Sequence, residues 1–325
     1  MSAYSAGSRH PHTVESRLLM GTTVSVTLVG KESEAARRAA VKRAFDAMNF
    51  VERMCSRFDE TSALRELCRH PGQPVRVPVI LFEALRVALE LSELTDGAFD
   101  PTVGALMEKH GFDRHYLTGE RTTALRDSLA RATHTELRDS LAQATHRDIL
   151  LDEQEGTVLL RKPLLLDLGA VAKGLAVDLA ARELGVWQGF AIDAGGDLRL
   201  HGTDPAGDAW TVGIRHPLVK QEVICWLQTT DTAICTSGSY ERRSPVAPMA
   251  HHLLDPRTGQ SVTGLLSCTV ATPLAILADA ASTAAFLAGN PARAIAFLSG
   301  LELAGLCISD TLDITKTDAM EEYMQ

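Results

Sequence analysis

The 325-residue sequence has few aromatic residues, no excess of positive charge and no long apolar run. Aromatic side chains make up 5% of the chain, and 41 Asp and Glu outnumber 32 Lys and Arg, so the net charge is −9 at pH 7. Nucleic-acid phosphates require a basic face, so this balance argues against a nucleic-acid partner. No segment is long and apolar enough to cross a bilayer, and residues 1–13 lack the apolar core of a signal peptide. We therefore expect a cytoplasmic protein without a membrane span.

Closely spaced cysteines are also absent, because no C-x-x-C pair or zinc-type spacing occurs. Four of the cysteines lie inside apolar segments, where a free thiol behaves as a small hydrophobic group. This usage favours a reducing compartment over a disulfide scaffold. We predict packing roles for all six, which are Cys55, Cys68, Cys225, Cys235, Cys268 and Cys307.

Strand and helix patterns alternate along most of the chain. Residues 21–29 alternate at period two, whereas residues 32–57 repeat small and apolar side chains at helical spacing. A second helix is predicted from about residue 78 to residue 95, and two more at 172–184 and 276–287. Short strands are predicted at 157–160, 164–166, 190–192, 198–200, 210–214, 223–227, 232–235, 267–271 and 303–308. The predicted fold class is α/β in the broad sense, an α+β protein with helices packed on a mixed sheet in two lobes.

The pattern of predicted strands and helices also indicates the domain boundaries. We expect residues 1–17 to be a flexible leader, residues 18–309 to form a single bilobal domain and residues 310–325 to be a frayed acidic tail. Residues 123–134 and 135–146 are two copies of one twelve-residue repeat. Two copies are too few for a solenoid, so we interpret residues 115–146 as a helical surface insert. His134 and His146 are then present because they belong to the repeated segment, and we do not expect them to be ligands.

Residues 167–174 form the most distinctive segment. They read as the end of a buried strand, a loop of small residues and the start of a helix. A helix N-terminus attracts anions, and Lys173 adds a point charge suited to a phosphate. Asp167 would repel a phosphate unless a metal, a ribose or a flavin ring lay beside it. The loop therefore indicates an anionic, oxygen-rich ligand with a cation, although such loops also serve packing alone.

A nearly all-apolar helix, residues 275–288, carries one carboxylate. Asp279 and Thr283 are four positions apart, so their oxygens share one face of the helix. An unpaired buried carboxylate is costly, and carboxylate and hydroxyl oxygens suit Mg²⁺. The alternative is structural: a helix-capping aspartate, with the threonine bonded back to the preceding turn.

Eight short motifs occur in a specific order. They lie at residues 20–22, 55–58, 95–102, 167–174, 195–197, 236–240, 252–259 and 278–284. In this order the sequence closely resembles the FAD:protein FMN transferases, the ApbE family, over about residues 18–309.

The resemblance implies an enzyme that uses FAD as substrate and Mg²⁺ as cofactor. It implies transfer of FMN from FAD to a Ser or Thr hydroxyl of a target flavoprotein, with AMP leaving. The main-chain carbonyl of Ala170 and the side chains of Asp279 and Thr283 would hold the metal. The residues that would contact the flavin nucleotide are Met20, Phe58, Ala98, Phe99, Asp100, Asp167, Lys173, His252 and Leu253.

Two catalytic roles follow from this chemistry. Cleavage of a pyrophosphate needs positive charge at the transferring phosphoryl group, which Lys173 and Mg²⁺ would supply. The acceptor hydroxyl is a weak nucleophile, and His252 is the candidate base. Two alternatives use the same motifs: a Mg²⁺-dependent FAD pyrophosphatase that yields FMN and AMP, and a non-catalytic FAD-binding carrier.

Deletion of residues 135–146, the second copy of the repeat, is predicted to leave FAD use unchanged. A surface insert mainly alters loop length, and the entropy of loop closure depends weakly on length. FAD consumption by the purified deletion variant checks this. A folded variant that no longer bound FAD would make the insert part of the site.

Overall fold

The computed structural model describes the chain in four stretches, residues 2–4 (by their backbone), 9–122, 144–247 and 250–325. The chain divides into two compact units. The first unit comprises Met1–Phe50, Lys173–Tyr240 and Thr263–Gln325, and the second comprises Val51–Ala172 and Glu241–Val262. Within the described stretches, no helix is long and apolar enough to cross a membrane.

Strands and helices alternate throughout. The described helices are α1 (Glu34–Cys55), α2 (Ala63–Cys68), α3 (Val79–Leu94), α4 (Gly104–Lys109), α5 (Gly169–Leu184), α6 (Ala275–Leu287) and α7 (Pro291–Gly300). The described strands are β1 (Ser2–Tyr4), β2 (His12–Leu19), β3 (Thr22–Val29), β4 (Pro74–Arg76), β5 (Ile149–Asp152), β6 (Thr157–Leu160), β7 (Gly189–Ala194), β8 (Leu198–Gly202), β9 (Trp210–Arg215), β10 (Val223–Thr229), β11 (Ala233–Gly238), β12 (Leu254–Asp255), β13 (Gln260–Ser261), β14 (Leu265–Thr272), β15 (Ala304–Ser309) and β16 (Ile314–Lys316).

The first unit is built on an eight-stranded sheet in the order β16-β15-β14-β11-β8-β7-β3-β2, with a smaller sheet β1-β9-β10. Every strand pairing in these two sheets is antiparallel. Side chains from both sheets, among them Leu200, Trp210, Ile234 and Leu306, form one buried cluster. The predicted α+β fold is confirmed, with an antiparallel sheet in place of a mixed one.

Helix α6 covers the β11–β14 part of the large sheet. Twelve of its residues are buried, which explains its apolar composition on all faces. Its first turn has no side-chain cap of its own. Instead, the Asp178 carboxylate on α5 accepts hydrogen bonds from the N–H groups of Ala275 (2.8 Å) and Ile276 (2.9 Å). A carboxylate at this end also suits the helix dipole, so Asp178 fixes the start of α6.

The second unit contains helices α2–α4, the small sheet β4-β6-β5 and the hairpin β12-β13. Helix α3 buries Leu81, Leu85 and Ala88 on one face. It ends at Leu94, where Asp96 and Gly97 adopt left-handed φ values of 48° and 73°. The predicted helix and its end at residues 95–97 are confirmed. A Gly in the left-handed conformation commonly follows the end of a helix.

The predictions of a flexible leader at residues 1–17 and a frayed tail at residues 310–325 are both wrong. Residues 12–19 form β2, which pairs with β3 along its whole length, and residues 2–4 pair with β9. Residues 314–316 form β16 beside β15, and a 3₁₀ turn follows at Asp318–Tyr323. Both segments contain edge strands whose exposed residues include apolar Val14, Leu18 and Ile314, so they lack the apolar-inside alternation that predicts a strand. Leu19 and Met320 are nevertheless buried.

Two internal predictions also differ from the structure. Residues 164–166 are buried but form no strand, since a short apolar run indicates burial more reliably than conformation. His146 is buried in a 3₁₀ turn, so it is not a surface residue of the repeat. Residues 123–143, including His134, lie outside the described residues, and the helical insert stays a prediction.

Substitution Gly174→Ala is expected to destabilise the protein by about 1–3 kcal/mol, as overpacking of a close contact does. A Cβ at residue 174 would lie 2.4 Å from the Ala275 carbonyl oxygen, which belongs to the backbone of α6. The matched control is Gly300→Ala in α7, where no atom lies within 4 Å of the added Cβ. This control should be neutral or stabilising by about 0.4–1 kcal/mol. Urea unfolding of both variants measures the difference, and equal stabilities would contradict the prediction.

Candidate functional site

A lysine and two carboxylates form a buried cluster in the first unit. The Lys173 ammonium pairs with the Asp197 carboxylate, and its Nζ lies 3.4 Å from Asp279 Oδ2. The side chains of Asp197 and Asp279 are only 3% and 5% exposed, whereas that of Lys173 is 20% exposed. We call these three residues the carboxylate–lysine cluster. Its net charge is −1, because one ammonium faces two carboxylates.

Local backbone structure places each member of the cluster. Lys173 is the fifth residue of α5, which begins at Gly169 rather than at the predicted residue 172. Asp197 follows a turn between β7 and β8 in which Gly195 and Gly196 have φ values of 68° and 100°. Residues with side chains rarely adopt these angles, so the two glycines allow Asp197 to turn back towards α5. The sequence motif 195–197 therefore contributes a site residue whose role was not predicted.

Asp279 does not cap its helix, because it is the fifth residue of α6 and Asp178 performs that role. Its Oδ2 instead accepts a hydrogen bond from the Gly174 N–H at 3.1 Å. Thr283 lies one turn further on, and its Oγ1 is 2.8 Å from the Ser237 Oγ of β11. Ser282 Oγ lies 3.0 Å from the same Ser237 oxygen. The predicted pair of Asp279 and Thr283 therefore lies beside two further hydroxyl groups.

The donor set around Asp279 fits a hard cation. Carboxylate and hydroxyl oxygens are the ligands that Mg²⁺ accepts, and the net charge of the carboxylate–lysine cluster favours one. The part of the chain described here contains no group of three or more His, Cys, Asp and Glu side chains arranged to hold a metal. Any Mg²⁺ there would need hydroxyl, carbonyl, phosphate or water oxygens in addition, as is usual for this ion.

In the second unit, Asp167 is held by a buried arginine. The Arg57 Nε donates to Asp167 Oδ2 at 2.5 Å, and the Gly169 N–H donates to Oδ1 at 2.8 Å. Burial alone would raise the pKa of the Asp167 carboxyl, but Arg57 and Gly169 outweigh it and hold that pKa below its usual range. Asp167 is therefore ionised and its charge is matched. Arg57 was not predicted as a site residue.

The Asp100 carboxylate is fully engaged in local contacts. Its Oδ1 accepts hydrogen bonds from the N–H and the hydroxyl of Thr102, both at 2.8 Å. Its Oδ2 accepts the His146 N–H at 2.9 Å and lies 3.2 Å from His146 Nδ1. These contacts hold the 3₁₀ turn at Pro101–Val103 and the chain at residue 146. Ala98 and Phe99, which precede Asp100, are buried.

His252 is an uncharged histidine at neutral pH. Burial, with smaller effects of Arg242 and His251, lowers the pKa of the His252 imidazole to about 3. Its Nδ1 has no hydrogen-bond partner among the described residues, and the Phe112 ring packs edge-on at a centroid distance of 6.4 Å. The neighbouring Leu253 is buried. A neutral imidazole can accept a proton, although this low pKa makes it a weak base.

The remaining predicted contact residues are divided between the two units. Met20 of the first unit has a left-handed φ of 53° in the turn between β2 and β3, which is uncommon for a residue with a side chain. Phe58 of the second unit is half-buried, and the Arg57 guanidinium lies over its ring. Ala170 is half-buried in the first turn of α5.

Known proteins match this fold and most of this chain. The model of the ApbE family matches residues 20–306. The chain is 30% identical over 294 residues to the FAD:protein FMN transferase of Treponema pallidum, covering 84% of this chain and 77% of that protein. The corresponding protein of Klebsiella pneumoniae is 30% identical over 285 residues, covering 83% of this chain and 77% of that protein.

A solved structure agrees with these sequence matches. The ApbE protein of Thermotoga maritima superposes with a TM-score of 0.83 at 27% identity, covering 97% of this chain and 100% of that one. The fold is that of an ApbE-type α+β protein. The chain belongs to the ApbE family.

Substitution His252→Gln should make the protein less sensitive to acid. The unfolded histidine has a pKa of about 6.5, whereas the folded one has a pKa of about 3. As the pH falls through this window only the unfolded state gains the proton, so His252 contributes stability above pH 6.5 that is lost on acidification. Urea unfolding at pH 7 and pH 5 should give a smaller loss for the variant than for the wild type. Equal losses would contradict the burial of this imidazole.

Proposed function

We propose that this protein transfers FMN from FAD to a Ser or Thr hydroxyl of an acceptor protein, releasing AMP and using Mg²⁺. The observation that carries the proposal is the carboxylate–lysine cluster beside the hydroxyls of Thr283 and Ser237, in a chain of the ApbE family. Relatives that match most of the chain are named FAD:protein FMN transferases. The buried negative charge supports a cation, and the lysine supports a phosphate ligand.

The reaction exchanges the phosphoanhydride bond of FAD for a phosphoester bond to the acceptor protein. The acceptor oxygen forms a bond to the phosphorus of the FMN half of FAD, the pyrophosphate P–O bond breaks, and AMP leaves with the bridging oxygen. The acceptor hydroxyl loses its proton. Such a transfer depends on positioning and on charge stabilisation more than on covalent catalysis.

The metal ligands are proposed to be the carboxylate of Asp279, the hydroxyl of Thr283 and the main-chain carbonyl of Ala170. Mg²⁺ bound there would supply positive charge for the phosphates and orient them. Lys173 would contribute a second positive charge to the phosphates. Asp197 would hold the Lys173 ammonium in place through their ion pair.

His252 is proposed to accept the proton of the acceptor hydroxyl. At neutral pH the imidazole is available in its basic form, because its pKa is lowered to about 3. A base this weak contributes little to the rate, so the charge on the phosphates must supply most of the stabilisation. The proposed flavin nucleotide contacts are Met20, Phe58, Ala98, Phe99, Asp100, Asp167, Lys173, His252 and Leu253.

The decisive experiment follows both products. The purified protein is incubated with FAD, Mg²⁺ and a candidate FMN-binding acceptor, and the acceptor is then measured by intact mass while AMP is quantified. Transfer predicts an acceptor gain of one FMN group with an equal amount of AMP, and no product in EDTA. Free FMN without a mass gain would indicate a FAD pyrophosphatase, and intact bound FAD would indicate a carrier.

Substitution Asp279→Asn should lower turnover by at least roughly 10- to 100-fold and raise the Mg²⁺ concentration required, the scale of losses around metal sites. Thermal stability in EDTA should stay the same or rise, because one of two buried carboxylates facing a single ammonium is neutralised.

The matched control for Asp279→Asn is Asp178→Asn, which alters another buried carboxylate of the same unit. Asp178 accepts two backbone N–H groups of α6, and an amide offers one oxygen in place of two. This variant should melt at a lower temperature with an unchanged Mg²⁺ requirement. The metal assignment fails if Asp279→Asn behaves like this control.

A further inference from the structure

Arg57 is a buried arginine that was not among the predicted site residues. Its side chain is only 4% exposed, and buried guanidinium groups require partners. Two hydrogen-bond acceptors and one further carboxylate surround it within the second unit. The Nε donates to Asp167, an Nη donates to the Phe112 carbonyl, and Glu108 lies 3.9 Å from the other Nη. The two hydrogen bonds therefore fix the guanidinium plane, and the Glu108 contact adds an ion pair that is too long for a hydrogen bond.

The same guanidinium also lies over the ring of the next residue. The Arg57 Cζ is 4.1 Å from the centroid of the Phe58 ring. A flat, delocalised cation stacks on an aromatic face in a way that a lysine ammonium does not. The orientation of Phe58 thus depends on where Arg57 is held.

The backbone beside Arg57 is anchored separately. The Arg65 Nη1 donates to the Arg57 carbonyl at 3.2 Å, and the Ser62 hydroxyl donates to the Ser56 carbonyl at 2.6 Å. These bonds fix the chain from which the guanidinium projects. A substitution that shortens only the side chain of Arg57 therefore leaves its backbone supports intact.

Arg57 also removes an electrostatic conflict at Asp167. A carboxylate would repel the phosphates of a nucleotide, yet the charge of Asp167 is matched by Arg57 from the buried side. The Asp167 side chain keeps 16% exposure, and Phe58 is half-buried. Both residues therefore contact Arg57 on one side and retain accessible surface for a ligand.

We propose that Arg57 is a positioning residue that orients Asp167 and the Phe58 ring for the flavin nucleotide of FAD. This inference rests on the proposed function, because it takes FAD as the ligand of Asp167 and Phe58. Arg57 itself makes no contact with the nucleotide. It acts through an ion pair and a stacked ring.

The test compares Arg57→Lys with the wild type. Lysine keeps the charge but loses the planar fork and the stacking, so the Kd and KM for FAD should rise about 10- to 100-fold, while kcat at saturating FAD stays within about threefold. FAD binding is followed by flavin fluorescence below the melting temperature of each variant. An unchanged Kd for FAD in folded Arg57→Lys would overturn the proposal.

A control separates positioning from general stability. Arg37 is a second buried arginine, in the first unit, which donates to the Thr13 hydroxyl at 3.0 Å and to the Gly30 carbonyl at 3.1 Å. Arg37→Lys should lower the melting temperature with the Kd for FAD unchanged. An equal rise of the Kd in Arg37→Lys and Arg57→Lys would also overturn the proposal.

A double-mutant cycle covers the case in which loss of Arg57 prevents folding. Arg57→Met leaves the Asp167 charge unpaired, whereas Arg57→Met with Asp167→Asn removes that charge. If Arg57 acts mainly through Asp167, this double variant binds FAD only about two- to threefold more weakly than Asp167→Asn alone. If the two residues act independently, the loss of FAD affinity in the double variant equals the product of the losses in the two single variants. The product would overturn the proposal. Failure of the wild type to bind FAD would instead overturn the proposed function, and this role with it.

Discussion

The close approach of α5 and α6 is the constraint on which the candidate site of the first unit depends. Gly174 has no side chain, so its N–H reaches the Asp279 carboxylate at 3.1 Å. One turn later, Asp178 fixes the start of α6 through two backbone N–H groups. The bond from Gly174 holds Asp279 beside Lys173, whereas the bonds to Asp178 stabilise the first turn of α6. A shift of α6 by one turn would separate Asp279 from Lys173, whereas a shift of α5 would move Lys173 away from both carboxylates.

The buried carboxylates of this chain differ in how their oxygens are satisfied, and that difference separates structural from functional candidates. Asp178 and Asp100 direct their oxygens at backbone N–H groups and a hydroxyl, so they hold the chain together. Asp279 and Asp167 instead face a lysine and an arginine that match their charge. The side chain of Asp167 retains accessible surface, and Asp279 lies one helical turn before Thr283. Of these four carboxylates, Asp279 and Asp167 are the two that form an ion pair with a Lys or Arg side chain.

Local patterns predicted much of the fold but not the pairings that complete the site. Strand β9 and helix α3 were predicted to within about a residue, because apolar periodicity and a Gly stop are local signals. Strand β2 was missed because its exposed residues include apolar Val14 and Leu18 while polar Thr13 is buried, so the usual apolar-inside alternation is absent. The pairings Arg57–Asp167 and Lys173–Asp279 join residues 110 and 106 positions apart, so no spacing in the sequence reveals them. The motif at residues 195–197 was visible, but its ion pair to Lys173 exists only once β7 and β8 form.

The structure also changes the interpretation of Lys173. The sequence suggested a free positive charge at a helix N-terminus, whereas the ammonium lies one full turn inside α5 between two carboxylates. Without a bound cation, the carboxylate–lysine cluster carries a net charge of −1 and would repel a pyrophosphate. A divalent cation held by Asp279 would bring the net charge to +1, the sign that a phosphate ligand requires. Cation and nucleotide should therefore bind with positive coupling, and by linkage each should raise the affinity for the other by the same factor.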